Sequence, residues 1–275
     1  MSNTNSDTIN TVENSSTIVL KFGSSVLTHE REVWSAVSEI RREVHRGRRV
    51  VAIVSALWGV TDRLLAEARR VADHPTGHAL ARLLATGEHQ AAALLSLALD
   101  HAGERHASLT AADVRLTARG PADNAEPVSV DATVIERALD TAAIVIIPGF
   151  EAVDELNRPV LLGRGGSDLT AIFIADALGA DVRLIKDVDG VFEHDPGRPG
   201  TPPRRYRHIR WDLVTQVAAK LVQPKAVEFA ARRGLRIHVA AINSNAGTLI
   251  TDRTELGDVA SAELAPAFGP GLLMV

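Results

Sequence analysis

Gly163-Arg164-Gly165-Gly166-Ser167-Asp168-Leu169-Thr170 follows the apolar run Pro159 to Leu162 and leads into the helical run Ala171 to Leu178. The order reads as strand, glycine loop, helix start. Three glycines leave φ unrestricted, so the backbone can approach a ligand closely, and Ser167 and Asp168 are helix-capping residue types. A helix start with free N–H groups behind such a loop suits an anion. A tight strand-to-helix turn with an ordinary cap carries the same signature. The spacing is neither the dinucleotide fingerprint nor the P-loop, because no glycine follows at the right interval and no lysine follows the last glycine.

Outward from this loop, strand and helix signals alternate. Toward the N-terminus, the spacing predicts strands at Thr17 to Phe22, Val50 to Val54 and Ala143 to Ile147 and a possible one at Ala107 to Leu109. Helices are expected along Val33, Val37, Ile40 and Val44, over Asp62 to Ala72, over His78 to Leu99 and over Val134 to Leu139. Toward the C-terminus, Gly179 stops the helix, Val182 to Ile185 is a strand, and His194 to Arg205 reads as a surface loop. Trp211 to Val222 and Lys225 to Arg233 read as helices, and Ile237 to Ile242 as a last strong strand. Thr110 to Asp131 carries no clear period. Strands apolar on both faces, alternating with helices, predict an α/β three-layer sandwich around a mainly parallel sheet. Residues 1–16, rich in Ser, Thr and Asn, are expected to be a disordered lead. The remainder, 17–275, reads as one domain, with a substrate lobe over about 17–180 and a nucleotide lobe over about 181–255.

Composition removes several function classes. The 275 residues carry 30 Lys and Arg against 34 Asp and Glu, a net charge of −4, with 4% aromatics and no long basic run, so nucleic acid is not an expected partner. No apolar run reaches the roughly 20 residues needed to span a bilayer, and the first residues lack a signal-peptide pattern, so a cytoplasmic location is expected. Cysteine is absent, which removes disulfides and thiolate chemistry. The ten histidines include no HExxH pair, so no built-in metal is expected.

Ligands of open α/β sheets bind beyond the carboxyl ends of the strands. Lys21 to Ser25, Ser55 to Thr61, Gly149 to Phe150, Gly163 to Asp168, Lys186 to Gly190 and Asn243 to Gly247 all sit at predicted strand exits. Lysine, arginine, aspartate and glycine at these exits suit phosphates and a small charged substrate. Glu88 shares a helix face with Leu84, Ala85, Ala91, Ala92 and Leu95, so it is expected to be buried, with either a structural cation or a ligand as partner. Lys220 shares a predicted helix face with Leu213 and Val217, where a solvated lysine is the ordinary alternative. Lys21 sits inside the first strand, where a charge needs an internal partner or a phosphate. Asp187 and Asp189 fit either a ligand or a plain turn.

These residues together resemble the amino acid kinase family, and within it the catalytic domains of aspartate kinases. Gly163 to Ala171 resembles the family's GRGGSDTTA signature, and Asp187-Val188-Asp189-Gly190-Val191-Phe192 with Asp195-Pro196 resembles its DVDGVY and DP segment. Val54 to Ala56, Gly59 to Asp62, Gly87-Glu88, Pro148 to Phe150, and Ala219-Lys220 with Pro224 follow in family order. The likeness runs from about Thr17 to Ile250. It implies magnesium- and ATP-dependent phosphorylation of the side-chain carboxylate of L-aspartate, in amino acid biosynthesis, by a homodimer. Residue by residue, the resemblance makes Lys21 and Lys220 the neutralising cations and Asp168 a catalytic carboxylate. Ser55, Thr61, Glu88, Arg164, Gly166 and Ser167 would bind the amino acid, with Arg164 on the α-carboxylate and Glu88 on the α-ammonium. Gly23, Ser24, Ser25, Lys186, Asp187, Asp189, Phe192 and Asp195, with Lys21 and Lys220, would bind the nucleotide.

The chain also departs from the family pattern. Lys21-Phe22-Gly23-Ser24-Ser25 has one glycine fewer than usual and is closer to the first motif of glutamate 5-kinase, which admits glutamate or another small carboxylate as substrate. Lys186 stands in place of a threonine, Phe192 of a tyrosine, Gln223 of a histidine, and Gly197 of an arginine, with Arg198 one step on. A nucleotide-binding regulatory paralogue with decayed catalysis is the reading from a different class. Regulatory domains of the ACT type, and end-product inhibition, are not expected within this chain.

Overall fold

The structure, a computed structural model, describes residues 15–259 except 198 and 200. Arg198 and residues 1–14 of the expected lead therefore lie outside the described residues. Of that lead, Ser16 is already tied into the fold, its carbonyl accepting from the Arg49 N–H at 2.8 Å.

In chain order the elements are β1 (Thr17–Phe22), α1 (Val33–His45), β2 (Arg49–Val54), α2 (Val60–Val71), α3 (Gly77–His101), β3 (His106–Ser108), β4 (Thr117–Arg119), β5 (Glu126–Ser129), α4 (Ala132–Thr141), β6 (Ile144–Pro148), β7 (Glu151–Val153) and β8 (Pro159–Leu161). They continue with α5 (Gly166–Leu178), β9 (Asp181–Lys186), β10 (Arg204–Arg210), α6 (Trp211–Val217), α7 (Pro224–Arg233), β11 (Ile237–Ala241), β12 (Thr248–Thr251) and β13 (Glu255–Val259).

Every residue of β1 is buried. A strand apolar on both faces is stable at the centre of a sheet covered on both sides. β1 occupies that place in a nine-stranded sheet of order β13-β10-β12-β11-β9-β1-β2-β6-β3. The run from β11 through β9, β1, β2 and β6 to β3 is parallel throughout, and antiparallel pairing is confined to β11 with β12 and β10 with β13. Alternation then sorts the core. Val19, Val51, Ile53, Val145 and Leu184 face one layer with α5 and α7, while Ile18, Leu20, Phe22, Ala52 and Ile146 face the other with α1 and α3. The expected three-layer α/β sandwich is present.

Four expectations are corrected. Pro159 to Leu161 belongs not to the main sheet but to a second, four-stranded one of order β5-β4-β7-β8, which takes up the stretch that showed no period. The expected loop His194 to Arg205 ends in a strand, because Arg204–Arg210, most of it unassigned from the sequence, pairs on both sides with β12 and β13. The helix at Trp211 ends at Val217, so Lys220 lies in a turn and shares no helix face with Leu213. The exit of β11 turns toward α1 rather than to a ligand edge: the Asn243 N–H donates to Glu39 at 2.9 Å and Arg42 donates to the Ser244 carbonyl at 3.1 Å. Glu39 and Glu43 are fully buried beneath it, facing Arg183 at 3.2 and 2.9 Å. No helix among the described residues is long and apolar enough to cross a membrane.

Candidate active site

The exits of β1, β2, β6 and β9 and the glycine loop before α5 enclose a cavity of about 820 Å³. It is lined by Lys21, Gly23, Ser24, Ser25, Ser55, Thr61, Glu88, Arg164, Gly166, Ser167, Asp168, Lys186, Asp187 and Lys220, residues far apart in sequence. Asp189, Phe192 and Asp195 do not line it. Asp189 is buried on Arg205 at 3.0 Å, Phe192 bridges to Arg205, and Asp195 accepts from the Gly197 N–H at 2.9 Å.

One wall is an ionic cluster. Lys21, on β1, and Lys186, at the end of the adjacent parallel strand β9, both reach Asp168 in the first turn of α5. Lys21 Nζ lies 2.8 Å from Asp168 Oδ1, and Lys186 Nζ lies 3.1 and 3.3 Å from its two oxygens. Burial works to raise the Asp168 pKa, but the Lys186 and Lys21 charges outweigh it and hold the carboxyl at about 2. This corrects the capping role expected of Ser167 and Asp168: the N-cap is Gly165, and Asp168 is spent on lysines.

The opposite wall is built around Glu88 of α3, 3% exposed. A Cβ on Gly87 would come 2.9 Å from that of Ala56, so glycine is what lets α3 approach the β2 exit this closely. The Ala56 N–H consequently donates to Glu88 Oε1 at 3.2 Å. The other oxygen, Oε2, is buried with no hydrogen-bond partner, and no cation among the described residues pairs with this carboxylate. Of the two partners that burial of Glu88 called for, no structural cation is found among the described residues. Burial pushes the carboxyl up to about 7, against the Ala56 hydrogen bond and the neighbouring His89. His89 itself is held by Glu151 at 2.8 Å, which raises its pKa.

The glycine loop joins the walls as a tight turn, the Gly166 N–H donating to the Gly163 carbonyl at 2.9 Å. Gly165 has φ +75° and a Cβ there would meet Gln223 at 2.2 Å, so glycine meets a conformational and a packing need here, and it also lines the cavity. Lys225 secures the loop from behind by donating to the Leu162 and Ala125 carbonyls at 3.0 and 2.9 Å. Arg164 is exposed and lines the cavity with no ion-pair partner among the described residues. Phe150, at φ +69°, is held by a bond from its N–H to Thr170 Oγ1 at 3.2 Å. Trp58 and Phe150, from two of the expected strand exits but given no individual role, line the same cavity, as does Gln223. Among the described residues no group of three His, Asp or Glu side chains could hold a metal ion, and both Asp168 oxygens are already occupied.

The cavity therefore offers a buried anion-facing cluster and, across from it, an unpaired carboxylate and a free guanidinium. Known proteins are similar to this chain in sequence and fold. An aspartokinase from Geobacillus stearothermophilus is 34% identical over 87% of this chain and 60% of its own length, and one from Mycobacterium tuberculosis is 32% identical over 85% and 56%. The chain thus spans about three fifths of the length of these relatives. Among solved structures, an aspartate kinase from Synechocystis matches with a TM-score of 0.72 at 30% identity, over 88% of this chain and 41% of that one. A UMP kinase from Bacillus anthracis matches in fold with a TM-score of 0.59 at 16% identity, over 88% and 99%. Residues 16–241 match the profile of the amino acid kinase family, a span that holds the central parallel strands, the glycine loop and every residue lining the cavity, and the chain belongs to that family.

Proposed function

We propose that the chain transfers the γ-phosphoryl group of ATP to the side-chain carboxylate of L-aspartate, giving the acyl phosphate 4-phospho-L-aspartate. The observation that carries this reading is Glu88: a buried carboxylate with an open oxygen, in the same cavity as the Lys21 and Asp168 pair. An α-ammonium is the partner that completes it, and aspartokinase relatives at 34% identity agree with that substrate.

An ionised carboxylate is a nucleophile at pH 7, so the reaction needs no general base. A side-chain oxygen of aspartate attacks the γ-phosphorus, the bond to the β,γ-bridging oxygen breaks, and ADP leaves with the electron pair. No proton changes hands. Catalysis is then positioning and charge stabilisation. Arg164 pairs with the α-carboxylate through its planar fork, and Glu88 ionises as it accepts the α-ammonium. Ser55, Thr61, Gly166 and Ser167 complete the amino acid pocket. Lys21, oriented by Asp168, and Lys220, from its turn, offset the charge of the phosphoryl group, while the Gly23 to Ser25 turn and Asp187 border the nucleotide. Asp189, Phe192 and Asp195 shape the turn after β9 from outside the cavity. The residues present do not fit a protein-held magnesium, so the ion belongs with the nucleotide phosphates, whose charge it offsets.

An ATP-dependent hydroxamate assay with L-aspartate tests the reading: product is expected, and background signal together with intact nucleotide binding overturns it. The short turn Gly23-Ser24-Ser25 favours one alternative, another small carboxylate such as glutamate, and the same assay across a carboxylate panel separates the two. Self-association has support in Trp34 of α1 and Leu97 of α3, exposed at 47% and 64%. Sedimentation is expected to give a dimer, and a monomer at micromolar concentration would refute that.

A further inference from the structure

We infer that Lys186 is a third phosphoryl-binding lysine, donating to the transferring group beside Lys21 from a position where family members carry a threonine. The inference rests on the kinase reading above and assigns the charge within the same site.

Strand geometry carries it. Side chains on one face recur every second residue, so Val182, Leu184 and Lys186 of β9 share the face on which Val19 and Lys21 of β1 lie. The two ammonium groups consequently converge on one carboxylate, with Lys186 8% exposed and lining the cavity. Asp168 already has Lys21 at 2.8 Å, so Lys186 is not needed to neutralise it. Two buried cations on one carboxylate leave an excess positive charge, which is costly away from water unless an anion arrives. Among the described residues the Lys186 ammonium donates only to Asp168, and an ammonium carries three donors, so it retains hydrogens for a ligand. Burial pushes the Lys186 pKa below the ordinary lysine range, against the pull of Asp168 and the weaker pull of Asp187, and the Lys21 charge acts with burial. A phosphoryl group beside it reverses that imbalance. Lys220, by contrast, is exposed in its turn and has no contact with Asp168 in this structure. Of the cations in the cavity, Lys186 is therefore pre-positioned next to Lys21.

The test uses Lys186→Thr and Lys186→Arg in the full chain, with thermal melts to confirm folding; the remaining pair of Lys21 and Asp168 keeps the core charge-balanced. Lys186→Thr is expected to lower kcat by about a hundredfold, the scale of losing one donor to developing charge, with the KM for L-aspartate nearly unchanged. Lys186→Arg is expected to recover part of kcat and to move the alkaline limb of its pH profile upward, which a purely structural lysine would not do. In calorimetry, Lys186→Thr should weaken binding of the non-hydrolysable analogue AMP-PNP at least about tenfold and leave AMP unchanged, as expected for one lost charge-assisted contact. Wild-type kcat and AMP-PNP affinity in a folded Lys186→Thr protein would overturn the inference. If the wild type makes no acyl phosphate from L-aspartate, the substrate reading fails, and the AMP-PNP comparison still decides the role of Lys186.

Discussion

Asp168 and Glu88 are both 3% exposed, both line one cavity, and have opposite chemistry. Two lysines hold Asp168 ionised, with its pKa at about 2, whereas Glu88 has one backbone N–H, an open oxygen and a pKa pushed up to about 7. Burial is the same on the two walls; the partners differ. The first carboxylate is a completed ionic cluster that arranges cations, and the second is an incomplete one that a cationic ligand finishes. A site with both can bind an amino acid by its ammonium and hold its other end against a phosphate.

The contrast also sets how stability follows pH. Glu88 is raised from 4.5 to about 7, so between those values the folded chain holds the proton that the unfolded chain has lost. Stability from this group is highest below pH 4.5 and declines as pH rises to 7, by about 3 kcal/mol in all. Asp168 runs the other way: its stabilisation is present above pH 3.8 and is lost as pH falls through about 2.

Breaking the completed wall should have the largest effect. Asp168→Asn leaves two buried lysines without a counter-charge, and urea unfolding should show a loss of about 3–5 kcal/mol, with turnover abolished. A loss under about 1 kcal/mol would mean that the cluster is hydrated. Glu88→Gln should do the reverse to stability: at pH 8 the variant should be more stable than wild type by up to about 3 kcal/mol, while the advantage vanishes near pH 4.5. Its KM for L-aspartate should rise steeply, and an unchanged KM would remove Glu88 from the substrate site. Arg164→Lys tests the proposed contact of the glycine loop with the substrate α-carboxylate. It keeps the charge but loses the fork, so the KM should rise about ten- to a hundredfold with no change in melting temperature. The smallest effect belongs to His89→Ala, which removes a half-exposed pair with Glu151. Stability should change by less than about 1 kcal/mol, and Glu88 should titrate slightly higher, because the His89 charge that lowers its pKa is gone.

Much of this site is legible in the sequence. Apolar runs over β1, β2 and β6 and helical spacing over α1 predicted the sandwich, and the apolar stripe around Glu88 announced its burial. What escaped was short or tertiary. The strands of the second sheet are three or four residues long, too few for alternation to register. Arg204 and Arg205 fell in an expected loop and Tyr206 to Arg210 gave no strand signal, because only Ile209 in the segment is buried. Helical spacing through Lys220 misled, since the backbone leaves the helix after Val217. The meeting of Lys186 with Asp168 had one usable signal: alternation along two parallel neighbours places Lys186 and Lys21 on one face, once the strand order is known.

Isothermal titration of L-aspartate at pH 7 in buffers of different ionisation enthalpy tests most directly the claim that the missing partner of Glu88 is the substrate ammonium. With Glu88 half protonated before binding and ionised after it, about half a proton should be released per ligand bound, and none in Glu88→Gln. Binding of L-aspartate by the wild type with no proton release would contradict the account.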